Sequence, residues 1–157
     1  MQCFFITVGT LKEKYWVDAL AEYKKRIGLY AKCEEINIKE ERLADESPTA
    51  VHRALLSEGE HILERIPKDA YTVALCVEGK MLSSEELARV VDTAKGGSGK
   101  ICFIIGSSYG LSDAVKARAD LKLSFSRLTF PHQLIRISLA EAVYRSFTIL
   151  SGKKYHK

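Results

Sequence analysis

Apolar, β-branched and aromatic runs that alternate with stretches of helical periodicity constrain the fold of this chain more than any other feature. Residues 3–8 read as a strand, and residues 14–30 as a helix in which Trp16, Leu20, Tyr23 and Ile27 recur at spacings of three and four. Residues 33–39 alternate imperfectly, as an edge strand does. Ser47-Pro48, an N-cap and first-turn proline, open a helix that runs to about Arg65. A buried strand over 71–77 follows, then a helix opened by the capping pattern Ser83-Ser84-Glu85-Glu86 and ended by Gly96-Gly97-Ser98-Gly99. The strand beginning at Ile101, a short helix after Ser112, a strand over 121–125 and a helix over about 134–150 complete the series. Such alternation argues an α/β fold, a mainly parallel sheet with helices on both faces.

Length and composition bound the rest. At 157 residues, 46% of them apolar and 28% charged, the chain suits a single domain spanning 1–157. Its start lacks a basic segment and a small-residue cleavage site, and no apolar run nears the ~18 residues that span a bilayer. These features predict a soluble, cytoplasmic protein with no membrane partner. Cys3, Cys33, Cys76 and Cys102 each fall in a predicted strand without zinc or redox spacing, so buried free thiols and no metal are expected. A net charge of +4 permits nucleic-acid binding without demanding it.

Two glycine-rich stretches fail as nucleotide motifs. Gly96-Gly97-Ser98-Gly99-Lys100 has Ala94 and Ile101 where a phosphate-binding loop needs Gly and Ser or Thr, and it precedes a strand. Gly106 to Gly110 lacks the dinucleotide spacing and the acidic residue that should end the next strand. What remains are loops at the C-terminal ends of parallel strands, where open α/β sheets place ligands. Gly106 either admits a close backbone approach or serves a tight turn. Pro131 stiffens the entry to the last helix, and His132 is either a base or a structural residue at a helix start.

The combination of Gly9-Thr10, residues 75–79, Ile104-Ile105-Gly106, Ser124-Phe125-Ser126, Leu128-Thr129-Phe130-Pro131-His132, Arg136, Glu141, Tyr144-Arg145 and terminal Tyr155-His156-Lys157 resembles one group. It is similar to the bacterial large-subunit rRNA pseudouridine N3-methyltransferases, small stand-alone members of the SPOUT class. The resemblance covers the whole chain and is most specific in its last third. It implies a C-terminal deep trefoil knot, an exception to the usual absence of knots. It also implies a homodimer and S-adenosylmethionine as methyl donor. The acceptor it implies is N3 of a pseudouridine in large-subunit rRNA within a nearly mature ribosome.

In such a site the cofactor's adenosyl part lies among three loops, which here correspond to Leu75 and its neighbours, Gly106, and Phe125, Ser126, Arg127, Leu128, Thr129 and Phe130. Main-chain groups recognise adenine while Leu75, Leu128 and Phe130 cover its faces. The group usually has a second glycine after Gly106, and this chain has Ser107. Either the loop avoids left-handed backbone there or it tolerates strain of about 1 kcal/mol.

Methyl transfer to a ring nitrogen is an in-line displacement that needs alignment and removal of an imide proton. His156, with an ordinary imidazole pKa near ~6.5, is the candidate base, Tyr155 a stacking group, and His132 the alternative base. The resemblance implies that the tail closes over the partner subunit's cofactor pocket. Arg127, Arg136, Arg145, Lys153, Lys154 and Lys157 are candidates for RNA phosphate contact or dimer pairing, with an ion pair to Glu141 as the other reading of Arg145. The apolar Leu134, Ile135, Ile137, Leu139, Val143 and Phe147 suggest a symmetric interface on the last helix. A SPOUT enzyme acting on another RNA such as tRNA, and a catalytically silent RNA-binding protein, share most of these features.

Overall fold

Strand and helix alternate throughout the computed structural model, which describes residues 1–153 and Tyr155. The elements are β1 (Gln2–Val8), α1 (Lys14–Ile27), β2 (Lys32–Ile38), α2 (Pro48–Arg65), β3 (Tyr71–Met81), α3 (Ser84–Gly96), β4 (Lys100–Ile105), α4 (Asp113–Arg118), β5 (Leu121–Ser124) and α5 (His132–Leu150). Local chemistry explains most boundaries. The Ser47 hydroxyl accepts from the Ala50 amide ahead of Pro48, and Ser83 and Glu86 form a reciprocal capping box. Gly97 closes α3 and Gly99 turns at φ +72°, so the rejected phosphate-loop stretch is a helix end and turn. The first helix ends at Ile27, earlier than the expected Tyr30, with Gly28 as its C-cap. The last helix begins at His132 rather than near Leu134, because Pro131 itself serves as its N-cap.

The sheet has the order β2-β1-β4-β3-β5, and every neighbouring pair is parallel. The imperfectly alternating β2 is indeed an edge strand. On one face α1, α3 and α5 cover Phe5, Phe103, Ile105 and Leu123 through Ile27, Val91, Leu139 and Val143. On the other, Ile62 of α2 and Val115 of α4 pack on Phe4, Ile6, Cys102 and Ile104. Burial on both faces is why β1 and β4 read as continuous apolar runs. Cys3 and Cys102 are buried as expected, whereas Cys33 and Cys76 are only partly so. Cys33 lies on the edge strand and Cys76 at the open end of β3.

β3 extends beyond its expected end at Val77 to Met81, with a break in its pairing. Leu75 and Lys80 both register with Leu123 of β5, so the residues between them leave the ladder at the C-terminal end of the sheet. No helix among the described residues is long and apolar enough to cross a membrane.

Candidate functional site

A cleft of about 650 Å³ opens at the C-terminal ends of β3, β4 and β5. Three chain segments build it. Leu75 to Glu78 come from the interrupted part of β3, residues 105–111 from the turn after β4, and Phe125, Ser126, Leu128, Thr129 and Phe130 from the link between β5 and α5. His132 and Ile135 close it from the first turn of α5. Its wall is mainly apolar, and Leu128 and Val77 remain 74% and 70% exposed at its mouth. Ser124 and Ser126 organise the third segment: the Ser124 hydroxyl donates to the Ser126 carbonyl at 3.1 Å, and the Ser126 hydroxyl accepts from the Leu128 amide at 3.0 Å.

The turn after β4 is held from within. The Gly110 amide donates to the Ser107 carbonyl at 3.0 Å, and Gly110 adopts φ +92°. A Cβ on Gly106 would lie 2.0 Å from the Gly110 carbonyl oxygen. Glycine is therefore required because the loop folds back on itself, which is the turn-forming alternative. Ser107 does not adopt positive φ, so the glycine-to-serine departure carries no left-handed strain. Its hydroxyl instead donates to Glu58 on α2 at 3.0 Å.

Charge at the cleft is sparse. Lys116 of α4 pairs with Glu78 at 2.7 Å, which lowers the carboxyl's pKa and raises the ammonium's. Burial pushes the His132 imidazole below its ordinary pKa, and nearby Arg136 pushes it further the same way. His132 is thus neutral at pH 7 and chemically able to take a proton.

The other candidate residues separate. Arg127 is exposed beside the cleft but outside its lining. Arg136, a candidate for phosphate contact, is 1% exposed, and its guanidinium donates to the Val8 and Gly9 carbonyls at the end of β1. That placement corrects the expectation, since a buried guanidinium spent on backbone acceptors cannot reach RNA. Arg145 pairs with Glu141 at 2.5 Å, as the i, i+4 spacing allowed, and lies over the Tyr155 ring at 5.0 Å. Lys153 sits over Tyr30 at 4.9 Å. Tyr155 packs edge-on against Tyr144 and donates to Glu141 at 3.3 Å, away from its own chain's cleft. Lys154, His156 and Lys157 lie outside the described residues.

Sequence reasoning missed Glu58 and Lys116, and gave Glu78 no role beyond its place in the stretch 75–79. The available signal was Gly59, an isolated glycine inside a helical pattern, which marks a close approach. Glu78 and Lys116 are surface-type residues far apart in sequence, and only the break in β3 and the placement of α4 bring them together.

Comparison with known proteins follows the same line. The family model described as "Predicted SPOUT methyltransferase" matches residues 1–156. The chain is 50% identical to "Ribosomal RNA large subunit methyltransferase H" of Bacillus pumilus over 159 aligned positions, covering all of both chains. It is also 50% identical to the protein of that name from Caldicellulosiruptor saccharolyticus, covering 97% of each. Among solved structures it resembles the tRNA (m1G37) methyltransferase of Aquifex aeolicus at TM-score 0.53 and 15% identity, over 92% of this chain and 70% of that one. TrmJ of Z. mobilis ZM4 gives TM-score 0.52 at 14% identity, over 94% and 70%.

Proposed function

This chain belongs to the SPOUT methyltransferase family, and on that premise we propose that it methylates large-subunit ribosomal RNA, at N3 of a pseudouridine. Membership implies the knotted C-terminal topology. The observation that carries the reading is a convergence. The three segments expected to hold an adenosyl group meet in one cleft, in a chain half-identical end to end to named large-subunit methyltransferases.

S-adenosylmethionine fits that cleft by volume and by lining. About 650 Å³, apolar walls and a main-chain-rich turn suit a nucleoside recognised through backbone groups. Leu75, Gly106, Phe125, Ser126, Leu128, Thr129 and Phe130 would hold it, with Arg127 at the rim. When bound, it supplies an electrophilic methyl group on a sulfonium.

The chain's own residues have three tasks: to orient the acceptor ring, to exclude water, and to accept the imide proton. His156 is the proposed base and His132, neutral at the cleft wall, is the alternative. Tyr155 offers a ring against the acceptor. Its position against Tyr144 rather than in its own cleft favours a tail that serves a partner subunit, and half-buried apolar residues of α5 such as Leu134 and Ile137 favour a homodimer. Exposed Arg127 and the lysines of the tail would meet phosphates.

Transfer of labelled methyl to whole ribosomes, large subunits and naked RNA, followed by mapping of the modified nucleotide, tests the reading. Label in large-subunit rRNA at a pseudouridine N3 is expected. Label in tRNA redirects the enzyme to another RNA, and RNA binding without transfer leaves a silent binding protein. A heterodimer of a tail-deleted chain and a Gly106→Leu chain should regain activity at one of its two composite sites. Confirmed heterodimers without activity would place the tail in cis or assign it a wider structural role.

A further inference from the structure

We propose that Glu58, a buried carboxylate on α2, is a positioning residue that sets the cleft turn after β4 by holding Ser107. This rests on the reading of the cleft as the cofactor site.

Glu58 is 3% exposed, and Ser107 is 8% exposed. One carboxylate oxygen accepts from the Ser107 hydroxyl at 3.0 Å, and the other accepts from the Glu41 amide at 3.0 Å. The side chain therefore ties together three elements: α2, the loop after β2, and the cleft turn. The next residue extends the contact. Gly59 lies so close to Ser112 that a Cβ would come within 2.2 Å of its hydroxyl, and Ser112 caps α4. Adjacent positions of α2 thus grip both ends of the segment 107–112.

Stability alone gives no reason for a carboxylate here. Burial pushes the Glu58 pKa up, the bonds from the Glu41 amide and the Ser107 hydroxyl pull it back, and the charges of Glu40 and Glu41 push it up again, so the charged form carries a desolvation cost here. An apolar side chain would avoid that desolvation, but it could not accept from Ser107 and Glu41. What the carboxylate adds is direction, because two acceptor oxygens fix where the turn's first residue sits. The turn's free end carries Tyr109, 43% exposed in the cleft wall. A shift at Ser107 moves Tyr109 and the carbonyls around it, and hence the groups that would meet the adenosyl part. Glu58 does not line the cleft and acts only through Ser107.

The test uses Glu58→Gln, Ser107→Ala and the double variant in the full-length protein. Hydrogen exchange without ligand reads the turn itself. Exchange at the amides of residues 108–111 should accelerate about tenfold in each single variant, the low end of what a hydrogen bond to a charged group is worth, while core strand amides hold. The KM for S-adenosylmethionine should rise by a similar factor with kcat little changed, and the double variant should be no worse than the more impaired single one. If Glu58→Gln does not fold, Ser107→Ala reads the same bond from the turn side. Wild-type exchange in folded Ser107→Ala, or fully additive effects in the double variant, would overturn the proposal. Faster exchange in variants of a protein that does not bind S-adenosylmethionine even as wild type would leave Glu58 as the turn's anchor and refute the cofactor reading instead.

Discussion

Gly59→Ala ought to stabilise the protein by every local rule and should instead destabilise it. Alanine in a helix interior is favoured over glycine by about 1 kcal/mol. Against that, the new Cβ would lie 2.2 Å from the Ser112 hydroxyl oxygen, 3.0 Å from the Ser112 Cβ and 3.6 Å from a Val115 methyl. Ser112 and Val115 are 6% and 0% exposed, so neither has free space to move into. Rotating Ser112 away breaks its cap on the Val115 amide, worth about 0.5–2 kcal/mol, and overpacking adds about 1–3 kcal/mol. The net loss is then about 0.5–4 kcal/mol, with about 2 kcal/mol as the central expectation. In urea, with a slope of about 2 kcal/mol/M, the midpoint should fall by about 1 M. Adding Ser112→Gly removes both clashing atoms, costs only a few tenths of a kcal/mol at an N-cap, and should restore at least wild-type stability. A midpoint raised by Gly59→Ala alone, or a double variant no better than the single, would refute the reasoning.

Arg136→Met should lower stability by about 2–4 kcal/mol, because the Val8 and Gly9 carbonyls lose their buried donor. The same variant should leave the salt dependence of RNA binding unchanged, whereas Arg127→Ala should reduce the slope of log affinity against log salt by about 0.7–0.9. Gly106→Ala should abolish S-adenosylmethionine binding in calorimetry while most of the fold's stability survives, since the atoms nearest its Cβ, those of the Gly110 carbonyl and Leu111, belong to the same loop. Burial pushes the Cys102 thiol up to about 12, so the unfolded chain releases that proton first as pH rises above ~9. Unfolding free energy should therefore fall by about 1.4 kcal/mol per pH unit in that window relative to Cys102→Ala, as measured by denaturant titration at each pH.

Periodicity and capping determined much of this protein from the sequence alone. The identity of the strands and helices, their order along the chain, and the starts of α2 and α3 follow from interactions within a few residues, while the imperfect alternation of β2 marked it as suited to a sheet edge. That a ligand site lies at the C-terminal ends of the parallel strands was legible for a related reason, since those ends are visible as the limits of apolar runs, whereas the choice of the three segments that line the cleft came from the family resemblance. Side-chain roles that depend on distant partners were not legible. Arg136 reads as a helix cation, and only the packing of α5 over the end of β1 turns it inward to two backbone carbonyls. Ser107 reads as a departure from glycine, and only the approach of α2 gives its hydroxyl an acceptor in Glu58. Gly106 lines the cleft, but only the distance to the Gly110 carbonyl shows that it is the turn, folding back on itself, that demands a glycine there. Local structure is set by neighbours in the chain, but a buried polar group is defined by whichever distant atom satisfies it, and that atom is chosen by the tertiary fold.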